Sequence, residues 1–230
     1  MTIRICVWSG PRNISTALMY AFAQRTDTTV VDEPLYAHYL ANTPASEYHP
    51  GAEEVLATME QDGAAVVRDI VLGPCDTPIL FCKMMIHHLR HLDWSFMEKT
   101  VNVLLTRHPR EMLPSYAKQV PNPGLHDTGY PEHLEVLEFL QKLGQTPPVL
   151  DSRLVLENPR GVLTQLCAQI GIQFDEKMLC WEPGARPEDG SWARYWYDSV
   201  HKSTGFQPYR PKTAPFPSHL EPLLAESLPY

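Results

Sequence analysis

The sequence predicts an α/β fold in which helices flank a mainly parallel, doubly wound sheet. Apolar strand-like runs alternate with helical segments along residues 3–174, which is the pattern of consecutive β-α-β units. Two of these runs stop abruptly at polar turns. Residues 181–230 differ, because they are rich in proline, tryptophan and tyrosine. We therefore expect one domain over residues 1–230, in which residues 181–230 form an aromatic, proline-rich lid, called here the C-terminal wrap.

Composition limits the classes of function. Hydrophobic residues make up 43% of the 230 residues, so the chain can bury a core, and the formal net charge of −8 disfavours general attraction to nucleic acid or anionic membranes. No apolar run approaches the roughly 18 residues of a membrane span, and the N-terminus does not resemble a signal peptide. The five cysteines form no C-x-x-C motif, which favours reduced thiols and no metal site. We expect a cytoplasmic protein without a membrane or nucleic-acid partner.

The predicted strands follow the apolar runs. Residues 3–8 read I-R-I-C-V-W, and residues 101–106 read V-N-V-L-L-T. Short continuous apolar runs of this kind are typical of strands buried in a parallel sheet. Further strands are predicted at residues 28–31, 64–70 and 79–85 and within residues 149–156.

Capping residues mark the helix ends. Pro109 and Pro159 suit the first helical position, where the missing N–H costs nothing, and Asn158 is a good N-cap. Gly171 supplies the stop of the helix that Asn158 opens. The other predicted helices cover residues 16–24, 52–59, 109–118, 132–143 and about 219–227.

The first polar junction, S-G-P-R-N-I-S-T, favours a bound anion. It lies between a strand and a helix, where backbone N–H groups and the helix dipole point at a ligand. Gly10 allows close approach and Arg12 adds a cation. The junction is not a Walker A loop, because Ser15, Thr16 and Ala17 stand where Gly, Lys and Ser/Thr should fall. A plain strand-to-helix turn capped by a hydroxyl is the simpler alternative.

A second polar junction follows the run at residues 101–106. Arg107 ends this predicted strand, and Ser115 lies eight positions later on the next predicted helix. Arginine can pair with phosphate through two parallel hydrogen bonds, and a helix hydroxyl completes the shell. The alternative is a structural salt bridge at Arg107 and a solvent-facing Ser115. The acids Asp32 and Glu33, which end the run T-T-V-V, are expected at the same edge of the sheet.

These motifs resemble those of sulfotransferases that use 3′-phosphoadenosine-5′-phosphosulfate (PAPS). W-S-G-P-R-N-I-S-T resembles the family's 5′-phosphosulfate loop, with Ile14 in place of the usual glycine, and Arg107 with Ser115 has the spacing of its 3′-phosphate site. The segment N-P-R-G-V-L-T-Q-L-C is similar to a late helix of many bacterial members. The resemblance spans most of residues 3–175. It implies a P-loop NTPase-like fold, PAPS as donor, adenosine 3′,5′-bisphosphate (PAP) as product, and no metal.

The resemblance also implies a set of donor-binding residues. The loop after the first strand would hold the phosphosulfate, and Arg107 with Ser115 would hold the 3′-phosphate. V-H-K-S-T-G-F in the C-terminal wrap is similar to the basic loop that closes over adenine in this family. The implied donor-binding residues are Ser9, Gly10, Pro11, Arg12, Asn13, Ile14, Ser15, Thr16, Arg107, Ser115, Lys202, Ser203 and Thr204.

Sulfuryl transfer also needs a base and a charge that stabilises the leaving phosphate. Arg12 suits the leaving-group role, and we expect Lys83 to face the same pocket. Glu33 is the preferred base, and its neighbour Asp32 is expected on the opposite side of the chain. The cytosolic branch of the family has a histidine two residues after its lysine, whereas this chain has Met85. The rival bases are His87, His88 and His91.

The resemblance therefore implies an enzyme that moves a sulfuryl group from PAPS to a hydroxyl or amine of a small molecule. Candidates for the acceptor pocket are Tyr36, Tyr39, Trp192 and Trp196. Two alternatives stay open. A P-loop kinase would use Asp32 to hold Mg²⁺, and a protein that has lost catalysis would bind the bisphosphate nucleotide and transfer nothing. A homodimer is a further open expectation.

Overall fold

The structure, a computed structural model that describes residues 2–230, is built on a parallel five-stranded sheet. The strands are β1 (Ile3–Ser9), β2 (Thr28–Asp32), β3 (Ile79–Met85), β4 (Val101–Thr106) and β5 (Val149–Asp151). Their order is β2-β3-β1-β4-β5, and each pair is parallel. The chain completes one side of β1 before it builds the other. The carboxyl end of β1 is therefore a topological switch point, where open α/β sheets bind ligands.

Helices connect and flank these strands. The α-helices are α1 (Ser15–Ala23), α2 (Tyr36–Ala41), α3 (Ala52–Thr58), α4 (Gly63–Val66), α5 (Pro109–Tyr116), α6 (Leu125–Thr128), α7 (Tyr130–Lys142), α8 (Ser152–Glu157), α9 (Pro159–Gln169), α10 (Ala193–Trp196), α11 (Asp198–His201) and α12 (Glu221–Ser227). Shorter 3₁₀ turns lie at Pro44–Glu47, Ile86–Leu89, Ser95–Lys99, Glu176–Leu179 and Ser218–Leu220. No helix within residues 2–230 is both long enough and apolar enough to cross a membrane.

Alternation along the central strand sends side chains into two separate cores. Ile5 and Val7 of β1 pack with α1 and α9 on one face of the sheet. Cys6 and Trp8 pack with α7 on the other face. All four side chains are almost fully buried, which explains the unbroken apolar run in the sequence. Helices on both faces of a parallel sheet confirm the predicted doubly wound α/β fold.

The strand expected at residues 64–70 is wrong. This segment is helical, first as α4 and then as a single π-helical turn. The carboxylate of Asp62 accepts hydrogen bonds from the N–H groups of Ala64 and Ala65 at 2.9 and 3.3 Å, and this cap starts a helix. Two valines of the segment still face the core, so apolar content alone did not distinguish a strand from a helix.

The strand predicted within residues 149–156 is present but short. It ends at Asp151, whose carboxylate accepts a hydrogen bond from the N–H of Arg153 at 2.7 Å and caps α8. Both differences from the sequence prediction therefore have one cause, an aspartate that begins a helix inside an apolar run.

The C-terminal wrap packs against the rest of the fold in three places. Trp181 joins the core beneath α1, and Trp192 and Tyr197 pack with α2 and α3. Leu223 and Leu224 of α12 pack on α5. Since these side chains are buried, the wrap is part of the packed structure and not an appended tail.

Replacing Asp62 with alanine should lower the free energy of unfolding by about 1 kcal/mol, because two backbone N–H groups lose their cap. Asp62→Asn keeps a capping oxygen and should stay close to wild type. Equilibrium unfolding in urea, followed by circular dichroism, measures both. Equal stability of the two variants would contradict the capping role of Asp62.

Candidate active site

The carboxyl ends of four parallel strands open onto a cavity of about 350 Å³. The turn after β1, Glu33 after β2, Lys83 of β3 and Arg107 after β4 all line it, and residues of the C-terminal wrap complete its wall. This is the switch-point crevice of the sheet, so its position alone makes it the leading ligand site.

The turn after β1 has a strained backbone. Arg12 and Ile14 are left-handed, with φ of 56° and 35°, a conformation that is hardest on a β-branched residue such as isoleucine. Asn13 helps to hold the turn, because its side-chain amide donates to the carbonyl of Leu105 at 2.7 Å. Strain of about 1–3 kcal/mol per residue persists where surrounding structure enforces it, often at ligand sites. A left-handed residue before a right-handed turn also aims successive N–H groups at one point, which suits an anion.

The N-terminus of α1 is not capped by its own sequence. Its N-cap residue is Ile14, which has no polar side-chain atom to accept the N–H groups of the first turn. The first-turn residues Ser15, Thr16 and Ala17 line the cavity. The positive end of the helix dipole and two hydroxyl groups are therefore available to an anion in the cavity.

Arg12 carries a positive charge without a carboxylate partner within residues 2–230. Its Nε donates to the hydroxyl of Ser115 at 3.1 Å, and one terminal nitrogen donates to the carbonyl of Trp196 at 2.9 Å. Burial, followed by the charge of Arg107, lowers the pKa of Arg12. Both effects disfavour the cationic form of Arg12, so an anion bound between Arg12 and Arg107 would stabilise that form.

Arg107 and Lys212 extend this positive region. Arg107 donates to the carbonyl of Arg12 at 2.9 Å and lies 3.5 Å from the carboxylate of Glu111. Lys212 donates to the backbone carbonyl of Glu111 at 2.6 Å. Burial, and then the charges of Arg107 and Lys118, lower the pKa of Lys212. Sequence reasoning missed Lys212, although the fragment Y-R-P-K of the wrap signals a basic segment.

A buried ion cluster forms the opposite wall. The ammonium of Lys83 donates to Asp32 Oδ1 at 2.9 Å, to Glu33 Oε1 at 2.5 Å and to the hydroxyl of Tyr197. The expectation that the two acids lie on opposite sides is wrong, because Glu33 is left-handed, with φ of 43°, and both carboxylates reach the same ammonium. Glu33, unlike Asp32, lines the cavity.

Burial and charge together determine the pKa values of Glu33 and Lys83 in this cluster. Burial raises the pKa of Glu33, and the opposing attraction of Lys83 does not cancel this effect. Burial alone would lower the pKa of Lys83, but the charges and hydrogen bonds of Asp32 and Glu33 outweigh it and raise the value. Lys83 therefore stays cationic with all three N–H donors engaged, and it holds a carboxylate of raised proton affinity at the cavity wall.

Comparison with known proteins now decides the family. Residues 3–230 match the family described as a sulfotransferase domain. The chain belongs to the sulfotransferase domain family. This membership confirms the resemblance seen in the sequence motifs. The sulfotransferase chain is also 39% identical over 226 residues to branched-chain-amino-acid aminotransferase-like protein 2 of Arabidopsis thaliana, covering 98% of this chain and 40% of that protein. It thus spans about 40% of the length of the curated relatives it matches.

Solved sulfotransferases share the fold. The sulfotransferase domain of the Synechococcus PCC 7002 olefin synthase superposes with a TM-score of 0.58 and 17% identity, covering 100% of this chain and 96% of that one. A sulfotransferase from Alicyclobacillus acidocaldarius superposes with a TM-score of 0.52 and 12% identity, covering 77% of this chain and 88% of that one. At these identities the similarity shows the fold alone.

The structure brings most of the predicted residues of this sulfotransferase to one cavity. Those that line it are Pro11, Arg12, Asn13, Ile14, Ser15, Thr16, Glu33, Lys83, Arg107, Ser115 and Ser203. They come from five separate parts of the chain, and the sheet topology is what brings their sequence positions together.

Ser9 and Gly10 lie behind the turn and not in the cavity wall. The hydroxyl of Ser9 donates to the carbonyl of Met84 at 3.4 Å, within the sheet. A Cβ atom on Gly10 would lie 2.7 Å from the carbonyl oxygen of Thr128. Glycine is therefore needed here for packing against the end of α6, and not for the approach of a ligand.

The basic loop of the wrap contributes less than the resemblance implies. Lys202 is exposed and pairs with an aspartate one helical turn earlier at 2.6 Å, and Thr204 is exposed. A β-bridge between Cys180 and Gly205 holds the end of this loop, and neither Lys202 nor Thr204 lines the cavity. Ser203 is the predicted residue of this loop that lines the cavity.

The rival histidines are poor bases in this arrangement. Burial lowers the pKa of His87 to about 3 and lowers the pKa of His88 well below its usual value. Both line the cavity, whereas His91 is exposed in a turn outside it. Sequence reasoning missed His49, which lines the cavity and whose pKa burial lowers to about 4. An imidazole with a lowered pKa binds a proton weakly, so these histidines are poor bases and Glu33 is the better candidate.

Aromatic side chains complete the wall beyond Glu33. Tyr36, Trp192 and Trp196 line the cavity as candidates for acceptor contacts. Tyr39 stacks against His88, with ring centroids 4.8 Å apart, and supports the wall from behind. Tyr116 and Tyr197 also line the cavity; the sequence offered no periodic signal for either.

Replacing Lys83 with methionine should lower the free energy of unfolding by about 3–5 kcal/mol at pH 8, because two carboxylates would stay buried without a cation. The loss should shrink towards pH 5. Burial raises the pKa of Glu33 in the folded state, so folded protein takes up protons before unfolded protein does, and its relative stability rises as pH falls.

Urea unfolding at several pH values tests this prediction. The control is Lys99→Met at an exposed position, which should change stability by less than about 0.5 kcal/mol. A loss in Lys83→Met that does not depend on pH would contradict the carboxylate explanation.

Proposed function

We propose that this chain transfers a sulfuryl group from PAPS to a hydroxyl or amine of a small-molecule acceptor. The observation that carries the proposal is the pair of guanidinium groups, Arg12 and Arg107, beside an uncapped helix N-terminus and facing a cavity that Glu33 also lines. Cations of this kind and a base on one cavity are what transfer of an anionic group needs.

The residues present fit the two anionic parts of PAPS. The strained loop and the first turn of α1 would hold the 5′-phosphosulfate, because their N–H groups and hydroxyls line the cavity. Arg107 and Ser115 would hold the 3′-phosphate, with Lys212 adding charge nearby. When bound, PAPS supplies a sulfuryl group whose bond to the 5′-phosphate oxygen breaks with its electron pair left on that oxygen while the acceptor oxygen or nitrogen forms the new bond to sulfur.

The chain's own groups have separate tasks in this proposal. Glu33 takes the proton from the acceptor, for which its raised pKa is useful, and Lys83 orients Glu33 by a hydrogen bond. Arg12 stabilises negative charge on the phosphate, because its guanidinium is fixed by Ser115 and the backbone of Trp196 before any ligand arrives.

The kinase alternative is less well supported. It would use Asp32 as a magnesium ligand, but Asp32 accepts hydrogen bonds from Lys83, from the hydroxyl of Tyr197 and from the N–H of Gly190. Both of its oxygens therefore have protein partners. The alternative of a binding protein without catalysis leaves the buried carboxylate of Glu33 at the cavity wall unexplained.

Titration calorimetry with PAP and with ATP, each with and without Mg²⁺, tests the donor. We expect PAP to bind more tightly than ATP and independently of the metal. Arg107→Gln should weaken PAP binding about 10- to 100-fold through the lost charged hydrogen bonds, while Arg153→Gln, at an exposed ion pair, should not. Binding of ATP alone would overturn the proposal.

Replacing Glu33 with glutamine should lower kcat by about 10²-fold or more and leave PAP affinity nearly intact, since the base is removed and the donor contacts remain. In the wild type, kcat/KM should rise with pH through a midpoint above 4.5, the usual glutamate value, because burial raises the pKa of Glu33 and the ionised form is active. The glutamine variant should not show this rise of kcat/KM with pH.

The matched control is Glu132→Gln, since Glu132 is also buried but lies outside the cavity wall. Its turnover and pH profile should match those of the wild type. Near-normal turnover of Glu33→Gln would show that another group is the base.

A further inference from the structure

The Lys83 cluster contains two carboxylates and only one ammonium. The ammonium lies 2.9 Å from Asp32 and 2.5 Å from Glu33, and the side chains of Lys83, Asp32 and Glu33 are 2%, 2% and 10% exposed. One buried ammonium balances one buried carboxylate, so the second carboxylate leaves an excess negative charge in a region with little water. One of the two acids therefore binds a proton more readily than an isolated acid would.

Hydrogen bonds distinguish the two acids. Asp32 accepts from the ammonium of Lys83 at 2.9 Å, from the hydroxyl of Tyr197 at 2.8 Å and from the N–H of Gly190 at 3.3 Å. The carboxylate of Glu33 accepts from the ammonium of Lys83. Tyr197 has a single hydroxyl hydrogen, which is directed at the two oxygens of Asp32, so it cannot also donate to Glu33. Donors stabilise an ionised carboxylate, so Asp32 holds the negative charge and Glu33 is the acid that binds the proton.

The second oxygen of Glu33, Oε2, can receive that proton. It accepts no hydrogen bond within residues 2–230, and it is not one of the unpaired polar atoms of that part of the chain that are shut off from solvent. Glu33 also lines the cavity. A proton from an acceptor hydroxyl or amine would therefore go to Oε2, while Oε1 keeps its hydrogen bond to Lys83.

The charge of Asp32 acts on Glu33 without competition from another anion among residues 2–230. The titratable groups around Glu33 are Asp32 from β2, Lys83 from β3, Tyr36 from α2, His88 from the turn after β3 and Tyr197 from the C-terminal wrap. Burial raises the pKa of Tyr36 and of Tyr197 and lowers the pKa of His88, so these three are uncharged at neutral pH. The guanidinium of Arg12 lies across the cavity. Burial, with the charge of Asp32 added to it, raises the pKa of Glu33 against the attraction of Lys83.

We propose that Asp32 is a positioning residue of the reaction, which shares the charge of Lys83 with Glu33 and by its own negative charge keeps Glu33 able to take the acceptor's proton. Without this charge, Lys83 would pair with Glu33 alone, and the ionised form of Glu33 would become too stable to be an efficient base. Asp32 does not line the cavity, so it acts through its two neighbours and not on the reacting atoms. This inference rests on the proposed sulfuryl transfer, and it names the group that makes the base of that same site effective.

Carbon-13 NMR of the full chain, labelled at the glutamate carboxyl carbon, tests this proposal. The Glu33 signal is identified by its absence in Glu33→Gln, and it is followed through a pH titration. The groups of the cluster titrate together, so the carbon of Glu33 itself has to be observed. Asp32→Asn removes the charge and keeps the shape of the side chain. The titration midpoint of Glu33 should fall by about one pH unit or more, the size of effect that a neighbouring charge exerts.

A second variant and a matched control accompany Asp32→Asn. Asp32→Thr also removes the charge, keeps a hydroxyl that can accept from Lys83 and suits a strand, so the result does not depend on the folding of one variant. The control is Asp189→Asn, because the side chain of Asp189 is 4% exposed and ties the wrap to α1 by accepting from the hydroxyl of Tyr20 at 2.7 Å. This variant should lower the urea midpoint of unfolding and leave the titration of Glu33 unchanged.

The outcomes separate this inference from the proposed function. An unchanged or higher Glu33 midpoint in the folded Asp32 variants overturns the inference. An equal fall in Asp189→Asn would show that attachment of the wrap, and not the charge of Asp32, sets the midpoint, and it would overturn the inference as well. In either case PAP binding, and with it the donor assignment, stands. Failure of PAP to bind overturns the proposed function, whereas the NMR titration needs no donor and still measures the effect of Asp32 on Glu33.

Discussion

The buried ammonium of Lys83 ties together three parts of the chain that are distant in sequence. Lys83 belongs to β3, the carboxylates of Asp32 and Glu33 end β2, and the hydroxyl of Tyr197 comes from the C-terminal wrap. Moving these charges out of water is costly, and only complete pairing offsets the cost. Tyr197 also donates to Asp32 and accepts from Trp192, so the wrap can close only where these bonds form. The cluster therefore fixes both the carboxylate of Glu33, the proposed base, and the C-terminal wrap.

The loop after β1, which lies across the cavity from the Lys83 cluster, contains unfavourable interactions. Two left-handed residues, Arg12 and Ile14, and two neighbouring guanidinium groups oppose the folded state of the loop. Such terms are tolerable only on a rigid frame, which the doubly buried β1 and the Lys83 cluster supply. An anion bound at the loop would offset the repulsion and satisfy the first-turn N–H groups of α1. The site is in this sense prepared for its ligand before the ligand arrives.

Sequence patterns were sufficient for the five strands and most helices, because apolar runs and helix caps are local signals, although residues 64–70 were wrongly predicted as a strand. Arg107 and Ser115 could be paired from the sequence, because their spacing matches a family motif, and both line the cavity. The meeting of Asp32 and Glu33 at one ammonium could not be predicted from spacing. Neighbouring side chains of a strand point to opposite faces, and the left-handed backbone of Glu33 is what brings its carboxylate to the same side as that of Asp32. His49 reaches the cavity wall, and the charge of Lys212 reaches the neighbourhood of Arg107, through tertiary packing, which no spacing rule encodes. Lys202 fits the family's basic loop in sequence, but in the structure it is exposed and pairs with Asp198.

The charge of the lining residues changes from one end of the cavity to the other. Cations lie at the loop, one carboxylate lies in the middle, and neutral imidazoles and phenols lie beyond it. A protonated histidine at the far end would lower the pKa of Glu33 and weaken it as a base, and it would compete with Arg12 for the donor's anionic groups. Burial of His49, His87 and His88 prevents both effects. The desolvation that makes these residues poor bases therefore also keeps them from weakening Glu33 in its proposed role as the base.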